Sequence, residues 1–210
     1  MKTVIPIAEI KARGSDPATF QGAQSRMDKF NANARPYVAR MEALGAQAIR
    51  AKGAVAKVMA LREMLDPVAA AASGVAACRK GCGKCCHIAV QMTADEADVI
   101  GKEIGVKPKT PPAFSDPAKR DEAAARYYGT PCPFLVNDQC SIYAYRPLSC
   151  RTLFNMDRDA LLCTVVPGDP PKVPYLNHSQ FTMIIARAFM DSAKRYADLR
   201  DFFPNGKGKP

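Results

Sequence analysis

Apolar residues recur at Val38, Met41, Leu44, Ile49, Val55, Val58, Met59 and Leu61, at intervals that keep them on one helical face. The pattern predicts a helical stretch opening near Pro36, weakened at Gly45 and Gly53, where glycine costs helix stability. Upstream, Ser15 or Asp16 can cap a helix with Pro17 in its first turn, a position where proline's missing N–H is tolerated. Residues 1–77 therefore read as amphipathic helices packing on the rest of the chain.

The period then changes. HIAVQM (87–92) alternates enough for a short strand. Thr93 and Glu96 make a capping box, with Thr93 as the cap and Glu96 reaching back to it. The helix it opens runs through Val99, Ile100 and Ile104, and Gly105 is a fitting stop. Residues 107–117 form a proline-rich loop and 121–128 a short helix. Residues 129–151 are turn-rich, and 166–174 are a second loop. One final amphipathic helix is expected from about Asn177 to Phe202, followed by a basic tail. No internal repeat has a solenoid period. The expected fold class is mainly α with a cysteine-rich, loop-dominated metal-binding core and at most short strands. Its parts are a helical segment (1–77), a cysteine-cluster domain (78–165), and a loop with a C-terminal helix (166–210).

Composition narrows the setting. A chain of 210 residues can bury a core without covalent staples. Its first apolar run is broken by Pro6 and Glu9 and is too short for a signal sequence. The Ala-rich stretch 67–78 ends in VAAC, which looks like a lipoprotein cleavage box. It lies deep in the chain after Glu63 and Asp66, so that reading is set aside. No segment reaches the roughly 18 apolar residues of a membrane span. The expectation is a soluble, cytoplasmic protein. Thiols there are kept reduced, so eight cysteines argue for metal binding or catalysis before disulfides. A bridge between adjacent Cys85 and Cys86 would also be strained.

Four of the cysteines fall in CRKGCGKCCH (78–87). Gly81 and Gly83 allow positive-φ turns that point sulfurs inward, and Arg79, Lys80 and Lys84 put positive charge beside them. A tetrathiolate site around a divalent metal has a net charge of about −2. Part of the formal +10 is then local compensation, which weakens an inference to nucleic acid. In an extended chain Cys85 and Cys86 point apart. They would then serve different metal atoms, or leave one as a packed spectator. The later cysteines, Cys132, Cys140 and Cys150, lack the second C-x2-C knuckle of a zinc ribbon and the spacing of a bacterial ferredoxin. Cys78, Cys82 and Cys85 match radical-SAM cysteine spacing, but Lys84 stands where an aromatic is usual. The chain after it is too short and too proline-rich for the expected barrel. His87 and His178 are further imidazole candidates, and Cys163 is either another ligand or a core thiol.

The combination resembles a known family. The knot ending in CC is followed by the strand, the T-x-x-E helix, and GTPCPFLVNDQCSIYAYRPLSCRTL (129–153). These are similar to the CxxCxxCC proteins of the YkgJ type, whose domain is regarded as zinc- or iron-chelating. The carrying residues are Cys132-Pro-Phe134-Leu135, Cys140-Ser-Ile142-Tyr143, Arg146-Pro147 and Cys150-Arg151. The first gap, Arg79–Gly81, is three residues where the family name has two. The resemblance implies metal ligation by Cys78, Cys82, Cys85, Cys86, Cys132, Cys140 and Cys150. The favoured group is an iron–sulfur cluster of the 4Fe-4S type, with zinc as the alternative and up to two centres. Flagellin lysine methylases look similar here, but no SAM-binding glycine motif is visible and methyl transfer is not carried over. Arg146 and Arg151 could donate hydrogen bonds to sulfur or make surface ion pairs. Phe134, Leu135, Ile142, Tyr143 and Tyr145 would wall the site with apolar surface. The function expected is metal binding, in redox or protein-modification chemistry or in a zinc-stabilised interaction module. A protein partner or substrate is implied but not identified.

Overall fold

Asp16 opens the first long helix as its sequence demands: its carboxylate accepts the Ala18 N–H at 2.9 Å, with Pro17 in the first turn. The computed structural model describes residues 5–79, 81–112, 116–177, 179–190 and 196–206, without the side chain of Pro117. Lys80, His178 and the basic tail past Gly206, all weighed above, lie outside the described residues. The N-terminal helices are α1 (Ile7–Ser15), α2 (Pro17–Ala34), α3 (Val38–Arg50) and α4 (Ala54–Ala72). The break between α3 and α4 falls at Gly53, whose φ of 84° strains any side chain. The first half of the Ala-rich stretch continues α4 through Pro67, which cannot donate to the turn before it.

Leu44 and Ala48 of α3 and Val58, Leu61, Met64, Leu65 and Val68 of α4 share one core with Phe30 of α2. The same core takes Val99, Leu148, Met156, Leu176 and Phe189 from the rest of the chain. A second core gathers around β1 (Gln91–Thr93) and α5 (Ala94–Ile104), with Met92, Ala97, Ile100, Ile104, Phe134 and Ile142 buried in it. The strand expected over 87–92 is shorter than predicted, because Lys84–His87 winds into a 3-10 turn and pairing begins only at Gln91.

The expected single helix from 177 to 202 is not formed. Helix α8 covers Ser179–Ala188, β4 (Tyr196–Asp198) pairs antiparallel with β1, and α9 is the short Leu199–Phe202. The apolar positions that looked like one face serve two cores. Ala188 and Phe189 enter the first, whereas Ala197, Leu199, Phe202 and Phe203 enter the second. Asp198 fixes the change of direction: its carboxylate accepts the Val90 N–H at 2.6 Å and the Arg200 N–H at 2.8 Å.

Between the cores run α6 (Pro117–Ala125), the hairpin strands β2 (Leu135–Val136) and β3 (Gln139–Cys140), and the one-turn α7 (Leu148–Thr152). Helix α6 starts four residues before the expected 121, because Asp116 caps it through the Ala118 N–H. The hairpin turn Asn137-Asp138 has both φ values positive, at 50° and 60°, as a two-residue turn matched to strand twist requires. The architecture is thus mainly α, with short two-stranded pairings as its β structure among the described residues. No described helix is long and apolar enough to cross a membrane.

The capping box is half formed. Thr93 Oγ1 accepts the Glu96 N–H at 3.2 Å. The Glu96 carboxylate, 3% exposed, does not reach back but accepts the Leu148 N–H at 2.6 Å. That bond sets the start of α7, two residues before Cys150.

Candidate metal centre

The cysteine knot is anchored at its start by Asn155. The Asn155 carbonyl accepts the Ala77 N–H at 2.8 Å, and the Asn155 N–H donates to Cys78 Sγ at 3.4 Å. Gly81 turns the chain with φ of 84°, as expected. Gly83 is different: its φ is −95°, and glycine is needed there for close approach. A Cβ would meet the Asp138 carbonyl oxygen and Leu135 Cδ1, each at 2.8 Å. The knot is therefore pressed against the β2–β3 hairpin that carries Cys140. Cys85 and Cys86 are not in extended chain, so their sulfurs do not simply point apart. In the 3-10 turn the Cys86 thiol donates to the Cys85 sulfur.

The second half of the constellation is laced to the knot by backbone. Cys132 N–H donates to the Cys86 carbonyl at 2.6 Å and Gly129 N–H to the His87 carbonyl at 2.7 Å. Arg200 locks this junction, donating to the carbonyls of Cys86 (3.1 Å), Ile88 (3.2 Å), Thr130 (2.7 Å) and Pro131 (3.4 Å). Its charge is balanced by the fully buried Asp198 at 3.0 Å. Sequence reasoning missed Arg200. Its one signal was a charge inside an apolar run, YADLRDFF, where a solvent-facing helix position was the simpler reading.

Cys163, left open by the sequence, joins the same region. The Asn155 side-chain amide donates to Cys163 Sγ at 3.3 Å, so one buried asparagine holds two sulfurs. Lys84 crosses from the knot to the Thr164 hydroxyl at 2.8 Å. Arg13 of α1 pairs with Asp157 (2.6 Å) and Asp159 (2.9 Å), bracing the loop just beyond Asn155. Cys132 is buried, Cys78 reaches solvent, and the other six are partly buried. His87 ends the 3-10 turn, half-buried, with its carbonyl committed to Gly129.

Arg146 and Arg151 divide their work. The positive charge of Arg146 bears on Cys78, Cys85, Cys140 and Cys150. Its guanidinium lies 4.1 Å from the Tyr143 ring centre, and its Nε is buried without a hydrogen-bond partner. The described bonds of Arg151 go elsewhere, to the carbonyls of Ala144 and Arg146 and to Asp66 at 3.4 Å. It holds the turn that presents Arg146. Of the expected apolar wall, Phe134 and Ile142 are each 1% exposed and Leu135 packs beside them. Tyr143 and Tyr145 lie on the surface, Tyr143 as a platform for Arg146.

The thiols shape one another's acidity. Cys85 is pulled down to about 7, first by the hydrogen bond from Cys86, with its own backbone N–H and Arg146 helping against burial. Cys86 is pushed up by that same hydrogen bond and by burial. Burial raises Cys132 to about 11 and Cys163 to about 12, and Cys150 well above the ordinary range, with Cys85, Cys132 and Cys140 adding repulsion. Packed thiols with mutual repulsion are what a bound cation relieves. As the side chains stand, no three His, Cys, Asp or Glu residues among those described close around one point. The donor chemistry fits zinc or iron: soft thiolates select these metals, and Arg146, its Nε buried without a partner, puts positive charge near the thiols.

Fold and site together define a mainly helical protein built around a cluster of eight thiols. Residues 77–167 match the model of the CxxCxxCC family, described as "Putative zinc- or iron-chelating domain". The match covers the knot and all four later cysteines, and it bears out the resemblance drawn from the sequence. It supports metal binding by this segment, with zinc and iron both within the family's description. No curated protein and no solved structure matches the chain.

Proposed function

We propose that the clustered cysteines hold an iron–sulfur cluster, of the 4Fe-4S type, in a cytoplasmic protein of redox or protein-modification chemistry. The observation that carries this reading is the buried, unpartnered Nε of Arg146, on a side chain whose positive charge bears on Cys78, Cys85, Cys140 and Cys150. Such a donor is suited to the sulfur of a bound cluster, where N–H···S bonds tune reduction potential. The ligands are drawn from Cys78, Cys82, Cys85, Cys86, Cys132, Cys140 and Cys150, within a domain of residues 78–165. Residues 1–77 and 166–210 support that domain. When bound, the cluster supplies electron transfer or an iron site for substrate. The chain's own contribution is to bury the sulfurs behind Phe134 and Ile142, offset their charge with Arg146, and keep the two halves laced by Arg200. Reduced thiols and metal fit a reducing compartment.

The alternative is a zinc-stabilised interaction module, favoured by the all-thiol donor set, which also suits structural zinc. Anaerobic purification with metal and acid-labile sulfide analysis, joined to electron paramagnetic resonance, separates the two. Iron with matching sulfide is expected. Colourless protein with stoichiometric zinc and no sulfide would overturn the iron–sulfur reading and establish the other.

A further inference from the structure

The eight thiols are not one undivided group. Cys86, Cys132, Cys140 and Cys150 pack against the second core, beside Phe134 and Ile142. Cys78 and Cys163 stand apart from that core, held together through Asn155, which donates to Cys78 Sγ from its backbone and to Cys163 Sγ from its side chain. Asn155 is 1% exposed and is itself fixed on every side. Its amide also donates to the Asp159 carbonyl at 3.0 Å, its side-chain oxygen accepts the Asp157 N–H at 2.8 Å, and it bridges to Tyr175. Two N–H···S bonds from a locked residue are a preorganised support for sulfurs that carry negative charge.

The neighbours of each sulfur follow the same division except at Cys85, which also bears on Cys140 and Cys150. Cys163 feels the charges of Cys78, Cys82 and Cys85, and Cys78 those of Cys85 and Cys82. Cys86 feels Cys132 and Cys150 beside its partner Cys85, while Cys132 and Cys150 each feel Cys140. The linings differ too. The Tyr175 phenol stands among Cys163, Cys85 and Cys78, where the other four have Phe134 and Ile142. Cys85 and Cys86 meet at the seam.

We infer that the chain holds two adjacent thiolate centres, one from Cys78, Cys82, Cys85 and Cys163 and one from Cys86, Cys132, Cys140 and Cys150. The inference rests on the reading that these thiols bind metal, and it makes Cys163 a ligand and Asn155 the residue that positions its sulfur. Four thiolates per centre match the donor number of a closed tetrahedral zinc site or of a four-iron cluster.

The test is titration of the metal-depleted full chain with Co(II) under argon, reading sulfur-to-cobalt charge-transfer absorption. The chain should take up two equivalents. Cys163→Ser and Cys78→Ser should each take up one, and so should Cys140→Ser, with a different residual spectrum. The double variant Cys78→Ser/Cys140→Ser should take up none. Cys78 reaches solvent, so its replacement leaves packing intact, and circular dichroism confirms the fold of each variant. One equivalent in the unaltered chain, or two in Cys163→Ser, would overturn the division while leaving metal binding in place. Loss of all cobalt from folded Cys78→Ser would also overturn it, in favour of one shared centre. No cobalt bound by the unaltered chain would sink metal binding itself.

Discussion

The Glu96 carboxylate, at the first turn of one helix, accepts the backbone N–H of Leu148, at the first turn of another, over 2.6 Å in a fully buried setting. Burial raises Glu96 to about 7, against the Leu148 bond and the charges of Arg62 and Arg151, which favour ionisation. Its folded pKa is therefore above its unfolded one, so the stability it contributes is complete below about 4.5 and is lost as pH rises through about 7. The loss is on the order of 3 kcal/mol. Glu96→Gln keeps an acceptor for Leu148 without a charge to bury. Urea midpoints measured between pH 5 and pH 8 should fall for the unaltered chain and stay flatter for the variant. Parallel curves would refute this account.

Arg200→Met should be among the most damaging single changes. It strands the fully buried Asp198 and releases four carbonyls around the knot. Leaving such a charge unpaired costs about 3–5 kcal/mol. Adding Asp198→Asn removes the charge but keeps one acceptor oxygen, so the double variant should recover part of the loss. Chemical denaturation of the two variants decides it, and a double variant weaker than Arg200→Met alone counts against the clamp.

Replacing Arg146 by Gln should leave folding nearly unchanged and weaken metal. Outer partners of metal ligands are worth roughly 10- to 100-fold in affinity. Competition with a chelator measures this, and potentiometry of a redox-active centre should show a lower potential without the neighbouring positive charge. Unchanged affinity together with unchanged potential would mean that Arg146 serves only Tyr143.

Gly83→Ala and Gly81→Ala test two kinds of glycine. The first drives a methyl group into the Asp138 carbonyl and Leu135, an overpacking cost of about 1–3 kcal/mol. The second forces alanine to φ of 84° in open space, which costs about 1–2 kcal/mol. Gly83→Ala should also loosen metal, since it moves Cys86, whose N–H donates to the Gly83 carbonyl at 3.0 Å, away from the hairpin with Cys140. Gly81→Ala should change stability more than metal affinity.

Local signals in the sequence carried far. Asp16 and Thr93 cap the helices expected of them, and Gly105 ends α5 in the left-handed region with φ of 70°. The cysteine spacing and the C-x-I-Y and R-P segments were enough to point to the family that residues 77–167 match. What escaped were relationships between distant residues. The pairing of Gln91–Thr93 with Tyr196–Asp198 has no local signature, and a helix-like periodicity hid it. The bond between Glu96 and Leu148 spans 52 positions, whereas a capping box offered the carboxylate a partner three residues away. The gathering of Cys163 beside Cys78 depends on Asn155, whose loop looked like any other polar turn.

Arg200 reaches the Cys86 carbonyl across 114 positions, and that separation orders events during synthesis. When the knot leaves the ribosome, neither the strand that pairs with Gln91–Thr93 nor the arginine that fastens Cys86 to Thr130 has been made. Cys78, Cys82 and Cys163 with their asparagine are all present 37 residues before the clamp arrives. Translation thus delivers every thiol of the cluster before its clamp, and leaves the Phe134 side open to solvent, oxidant and metal donor alike until its last fastening emerges.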